Sequence, residues 1–245
     1  MAVVATGFFD GVHLGHREVI TTLVSSARKK GEEALVVTFD AHPRTVLQQD
    51  AGRLRLLTTP KERERLLLSL GVDRVETIPF SKQFASIDAE SYIRNVLMDK
   101  FKATSIILGY DNRLGSDMLG VKEIGNLCAG LGLKMEEVAP YVMPDGTTVS
   151  STRIRNSLAG GMVDYANDML GYKYMLTGVV VSGKQIGRTI GFPTANTLPS
   201  APLKLVPERG VYLTEVDVLG GHFYGMTNIG DVVETNIFDF DESIY

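Results

Sequence analysis

Gly7-Phe8-Phe9-Asp10-Gly11-Val12-His13-Leu14-Gly15-His16 follows directly on an apolar run, Ala2-Val3-Val4-Ala5-Thr6. The run reads as a buried strand, and residues 17–30 have helical period up to Gly31. A strand that passes through a glycine-rich turn into a helix is the opening unit of a doubly wound α/β fold. Gly7 and Gly11 suit backbone angles closed to other residues, and Gly15 lets a phosphate approach the main chain. The free amides of the following helix and its dipole favour an anion there. His13 and His16, three apart, would aim ring N–H groups at the same phosphates. Structural pairs and half-sites for metals share that spacing, but with 4 histidines and 1 cysteine in the chain a zinc site is disfavoured.

Outward from this turn the alternation continues. Residues 34–39, Arg74–Ile78, 104–108 and Lys134–Val138 read as strands, and 61–70, 88–100 and 121–131 as helices. Pro60 opens the second of the helices, Gly71 stops it, and Asp88 caps the third. This βαβα order predicts a doubly wound parallel sheet with ligands at the carboxyl ends of its strands. The character changes near Gly171-Tyr172-Lys173. Residues 175–182, 211–218, 222–228 and 232–240 are short, β-branched and separated by Gly and Pro, which predicts a small antiparallel barrel. Two domains follow, residues 1–172 and 173–245.

The second domain carries another glycine-bracketed stretch, Gly183-Lys184-Gln185-Ile186-Gly187-Arg188. It lacks the Gly-Lys-Ser/Thr ending of a Walker A loop. A hairpin of this kind can wrap phosphates with Lys184 and Arg188 as donors; a plain β-turn with two exposed charges explains the same residues.

The net charge of −4 supplies no basic field for nucleic acid. No apolar run approaches the ~18 residues needed to cross a bilayer, and the first five residues lack the basic region of a signal peptide. A cytoplasmic protein without membrane or nucleic-acid partners is expected, and the sequence sets no oligomeric state. Cys128, in an apolar helical stretch, reads as core filler.

The His-x-Gly-His pattern after a first strand resembles the nucleotidyltransferase superfamily, and Thr6 to His16 resembles the FMN adenylyltransferase half of prokaryotic bifunctional FAD synthetases. Three further stretches resemble that family in order: Thr38-Phe39-Asp40-Ala41-His42-Pro43-Arg44, Gly109-Tyr110-Asp111-Asn112-Arg113-Leu114-Gly115, and Ser150-Ser151-Thr152-Arg153-Ile154-Arg155. The resemblance implies nucleotide and flavin binding by Gly7, Phe8, Phe9, Asp10, Gly15, His42, Pro43, Arg44, Gly109, Asp111, Ser151 and Thr152. His13 and His16 would hold the ATP phosphates and Arg153 would counter the charge on the leaving pyrophosphate. Ser151 and Thr152 are also expected as helix caps, and Asp111 also suits an Asx-turn. Two positions depart from the family: Ala41 stands for a proline and Leu114 for a phenylalanine, which is expected to alter packing around the adenine or isoalloxazine.

Gly191-Phe192-Pro193-Thr194-Ala195-Asn196 resembles the Pro-Thr-Ala-Asn motif of riboflavin kinases, small six-stranded barrels. That resemblance implies ATP binding by Gly183, Lys184, Gly187 and Arg188, Mg²⁺ ligation by Thr194 and Asn196, and a catalytic base at Glu234. An isolated strand glutamate is otherwise solvated or salt-bridged. The family has a longer loop after Asn228-Ile229-Gly230 and a C-terminal helical region, so the second domain reads as incomplete. Implied is a bifunctional enzyme that converts riboflavin and ATP to FMN, then FMN and ATP to FAD. The alternatives are an adenylyltransferase with an impaired kinase half, and a non-catalytic flavin or nucleotide sensor.

Overall fold

The computed structural model describes residues 1–47, 54–182, 194–230 and 233–238. Its first sheet is built from β1 (Ala2–Thr6), β2 (Glu33–Phe39), β3 (Arg74–Ile78), β4 (Ala103–Gly109) and β5 (Lys134–Val138), in the order β3-β2-β1-β4-β5. All the pairings are parallel, with Val4 opposite Leu35 on one side and Ile106 on the other. Every residue of β1 is buried, as a central parallel strand covered on both faces requires. The chain runs outward from β1 to β3, then crosses back to β4, so the strand order reverses between β1 and β4. Doubly wound sheets bind ligands in the crevice at this point, and the turn starting at Gly7 lies there.

The helices follow from local chemistry. α1 (Leu14–Lys30) ends at Gly31, whose φ of 64° closes the cap by donating its amide to Ala27 and Arg28. The structure starts it three residues earlier than the sequence pattern does, because the His13 side chain accepts the His16 amide and caps the helix. After the short α2 (Pro43–Val46), α3 (Pro60–Ser69) starts with a capping box between Thr59 and Glu62. α4 (Lys82–Ala85) precedes α5 (Ala89–Ser91), which Asp88 caps and which continues as a π-helix over Tyr92–Lys100. α6 (Val121–Gly130), α7 (Ser151–Ala159) and α8 (Val163–Leu170) complete the series.

Val4, Leu35, Val37, Ile106 and Leu108 pack with Ile93, Leu97, Ile124 and Cys128 in one core cluster. Burial raises the Cys128 thiol above its ordinary pKa, which suits the core-filling role and suppresses thiolate chemistry. Leu114 belongs to the same cluster, so the position expected to alter packing around the adenine or isoalloxazine lies in the core.

The chain divides into two compact units. The first comprises Met1–Ile154 and Asp168–Gly171, and the second comprises Arg155–Asn167 and the chain from Tyr172 onward. The second unit holds β6 (Gly178–Val181), β7 (Ala195–Pro199), β8 (Gly210–Val218), β9 (Gly221–Ile229) and β10 (Val233–Phe238), in the antiparallel order β6-β7-β10-β9-β8. β7 is a strand the sequence pattern did not reveal, since Asn and Pro depress strand propensity. The strand expected over 175–182 is shorter, Gly178–Val181. Thr214, Thr227 and Thr235 link their hydroxyls across β8, β9 and β10 at 2.9 and 3.0 Å, which satisfies polar groups on the covered face.

Candidate functional site

The turn after β1 is tied to three other stretches. Thr6 O accepts a hydrogen bond from Asn112 Nδ2 at 2.9 Å, beyond the end of β4. Phe8 O accepts from Thr38 Oγ1 at 3.2 Å, and the Phe8 ring meets the His42 ring edge-on at 4.6 Å. Asp10 O accepts from Ser151 Oγ at 2.9 Å. All four motif stretches of the first domain therefore meet at the switch point of the sheet.

Asp10 itself faces inward. It is 3% exposed, and its carboxylate accepts from the amides of Leu57 and Thr58 at 3.0 Å and from Thr58 Oγ1 at 3.1 Å. This bonding fixes the turn, and it ties the segment leading into α3 to the site.

His13 and His16 stack with ring centroids 3.6 Å apart and planes 15° apart. The spacing places His13 at the cap and His16 one turn on, so the rings lie together at the start of α1. Because Nδ1 of His13 accepts the His16 amide at 3.3 Å, a neutral His13 ring carries its proton on Nε2. The Phe9 ring meets His16 edge-on at 5.3 Å. The backbone here is unusual: Phe9, Gly11 and Val12 all have positive φ, of 53°, 84° and 40°. Gly7 does not, which corrects the reading that it needs angles closed to other residues; its added Cβ would meet the Phe9 ring at an ordinary 3.4 Å. A Cβ on Gly15 would come within 3.3 Å of the His13 ring, so its glycine makes room for the imidazole.

Gly11 has both constraints, since a Cβ there would lie 2.8 Å from Leu57 Cδ1. Gly11→Ala is expected to destabilise the first unit by about 2–4 kcal/mol, from the left-handed backbone and overpacking together. Urea unfolding followed by near-ultraviolet circular dichroism checks this; an unchanged midpoint would contradict it.

His42 caps α2, its Nδ1 accepting from the Arg44 amide at 3.1 Å, with Pro43 at the first helical position and Arg44 exposed. Gly109 ends β4, and the exposed Asp111 lines a cavity of about 450 Å³ with Tyr110, Asn112, Arg113, Val121 and Glu137. Ser151 and Thr152 are not the caps of α7. They are its first two residues, and Ser150 Oγ takes the capping bond from the Arg153 amide at 3.3 Å. Thr152 and Arg153 are exposed.

In the second unit Thr194 is exposed, and Asn196 on β7 is 8% exposed. The sheet register sets Glu234 of β10 directly across from Asn196 and, on its other side, Asn228. Asn196 and the expected base thus fall on adjacent strands, and Thr194 immediately precedes β7. Gly183, Lys184, Gly187 and Arg188 lie outside the described residues.

Arg63 escaped the sequence reading. Within the charged run Lys61-Glu62-Arg63-Glu64-Arg65 it looks solvated, yet it is 1% exposed. The available signal was spacing, because Arg63 shares a helix face with buried Leu66 and Leu67. Burial lowers its pKa to about 10, against the opposing pull of Asp10 and Asp40.

A family model described as FAD synthetase matches residues 1–153, and one described as riboflavin kinase matches residues 170–245. A Listeria monocytogenes protein named bifunctional riboflavin kinase/FMN adenylyltransferase is 33% identical, over 99% of this chain and 80% of its own length. A Bacillus subtilis protein of the same name is also 33% identical, over 100% and 80%, and an Escherichia coli one is 34% identical, over 93% and 72%. A crystal structure described as a macrolide-efflux protein from Streptococcus pneumoniae superposes with a TM-score of 0.88 at 32% identity, covering 100% of this chain and 82% of its own. No helix among the described residues is long and apolar enough to cross a membrane. The family-model match over residues 1–153, together with relatives 33% identical over 99–100% of the chain, places this chain in the FAD synthetase family.

Proposed function

We propose that the chain makes FAD from riboflavin in two ATP-consuming steps, with riboflavin kinase activity in residues 173–245 and FMN adenylyltransferase activity in residues 1–172. The observation that carries this reading is the convergence of three separate stretches on one turn at the switch point, joined to a second unit that matches riboflavin kinase.

In the first step the 5′-hydroxyl oxygen of riboflavin attacks the γ-phosphorus of ATP, ADP leaves, and Glu234 accepts the hydroxyl proton. Among the described residues no group of three or more His, Cys, Asp or Glu side chains could hold a metal ion. Thr194 and Asn196 offer neutral oxygens of the kind that suit Mg²⁺ held mainly by phosphates and water. Mg²⁺ would neutralise the phosphate charge there. The glycine-bracketed segment around Lys184 and Arg188 would wrap the nucleotide.

In the second step a phosphate oxygen of FMN attacks the α-phosphorus of ATP, the α–β bridge breaks, and pyrophosphate leaves. No covalent enzyme intermediate is needed; alignment and neutralisation of charge suffice. His13 and His16 would bind the ATP phosphates and Arg153 the departing pyrophosphate. Asp111 and its cavity would take the adenosine, and Phe8 with His42, Pro43 and Arg44 the flavin side. The substrates are small molecules, and a cytoplasmic setting supplies ATP to both steps.

Incubation with riboflavin, ATP and Mg²⁺, followed by chromatography, is expected to yield FMN first and FAD later. Chelating the metal is expected to stop both. Neither product from the folded chain would favour a non-catalytic sensor, and FAD from FMN alone would favour a chain with an impaired kinase half.

A further inference from the structure

Among the largest fully buried side chains of the described residues, Arg63 is the charged one. Its guanidinium carbon lies 4.3 Å from the centroid of the Phe8 ring, and Nη2 donates to the Phe39 carbonyl at 2.5 Å. Nε and Nη1 have no hydrogen-bond partner among the described residues. A helix face that needed only packing would be more stable with an apolar side chain, since burying an incompletely paired cation is unfavourable. What Arg63 touches gives that charge a use. Phe8 belongs to the turn after β1, and its ring meets His42. Phe39 ends β2 and leads into Asp40-Ala41-His42. Asp10 anchors the turn through Leu57 and Thr58, which lead into the helix that carries Arg63.

We propose that Arg63 is a positioning residue for adenylyl transfer. Its buried positive charge locks the end of β1 to the end of β2, which holds the turn bearing His13 and His16 in register with the segment bearing His42. This rests on the adenylyltransferase reading above. The cation–ring contact orients Phe8, and the charge-assisted bond to the Phe39 carbonyl fixes the strand end. Asp10 and Asp40, one from each stretch, both favour the charge electrostatically. No substrate contact is required of Arg63, since the strand ends transmit its effect.

The test compares Arg63→Gln with Arg63→Lys in the full chain. Gln keeps a donor for the Phe39 carbonyl and removes the charge; Lys keeps the charge. Steady-state FAD formation from supplied FMN and ATP is measured per folded molecule, with the folded fraction taken from near-ultraviolet circular dichroism. Gln is expected to lower kcat by about tenfold or more, the scale of a small misplacement, with KM for ATP unchanged, and Lys to restore most of the loss. Equal kcat for Gln and Lys, or a loss that tracks only the folded fraction, would overturn the proposal. Should the Gln chain not fold, Lys alone decides: near-native kcat supports the charge, and a loss of about tenfold in folded protein refutes it. Absence of FAD formation by the native chain would instead refute the adenylyltransferase reading itself.

Discussion

A His13→Asn chain is expected to lose FAD formation from FMN by about 10²- to 10³-fold, the usual effect of deleting one donor to a transition-state charge. Its conversion of riboflavin to FMN should remain native. Asparagine is the informative replacement because His13 has a structural task as well. Its Nδ1 caps α1 by accepting the His16 amide, and alanine would remove that cap at a cost of about 1 kcal/mol. Asparagine supplies an oxygen for the same bond while removing the imidazole, so the fold is retained and the phosphate donor is lost. His16→Ala and Arg153→Ala should act in the same direction without touching the capping bond. The check is a pair of assays on one preparation, FAD from FMN and FMN from riboflavin. A His13→Asn chain with native FAD formation would show that the histidine is only a cap.

Glu234→Gln should have the reverse signature. Removing a general base costs about 10²- to 10⁴-fold, here in FMN formation, while FAD formation from supplied FMN stays native. The register across β7, β10 and β9 sets position 234 between Asn196 and Asn228, so glutamine keeps the strand pairing and changes the chemistry alone. Asn196→Ala should weaken the same step, with a rise in the Mg²⁺ concentration needed for half-maximal rate. Loss of both activities in a folded Glu234→Gln chain would contradict independent sites.

The parallel sheet was legible because its central strands are buried on both faces and carry long apolar runs, as at Val3-Val4-Ala5 and Leu35-Val36-Val37. The helix ends at Asp88 and Gly31 were legible for a different reason: each depends on a residue type with a specific local role. What escaped were features set by tertiary contact. The left-handed backbone at Phe9 and Val12 contradicts the preferences of those residues, and bonds from Asn112, Thr38 and Ser151 to the same turn hold it. Asp10 looked like a ligand-facing acid, yet the amides that claim its carboxylate are 47 and 48 residues away. Arg63 was hidden by its charged neighbours, since a run of alternating charge gives no sign that one member turns inward. Strand β7 was masked by its own motif, because Asn196 and Pro199 suit a loop until β6 and β10 pair with it.

Complementation tests the two-site claim most directly. The His13→Asn chain and the Glu234→Gln chain should each fail to convert riboflavin to FAD, the first stopping at FMN and the second at riboflavin. Mixed in equal amounts with riboflavin, ATP and Mg²⁺, they should make FAD after a lag, as FMN released by one chain reaches the intact first domain of the other. A mixture that stays inactive, with both chains folded and each retaining its own half-reaction, would contradict two separate sites acting in sequence.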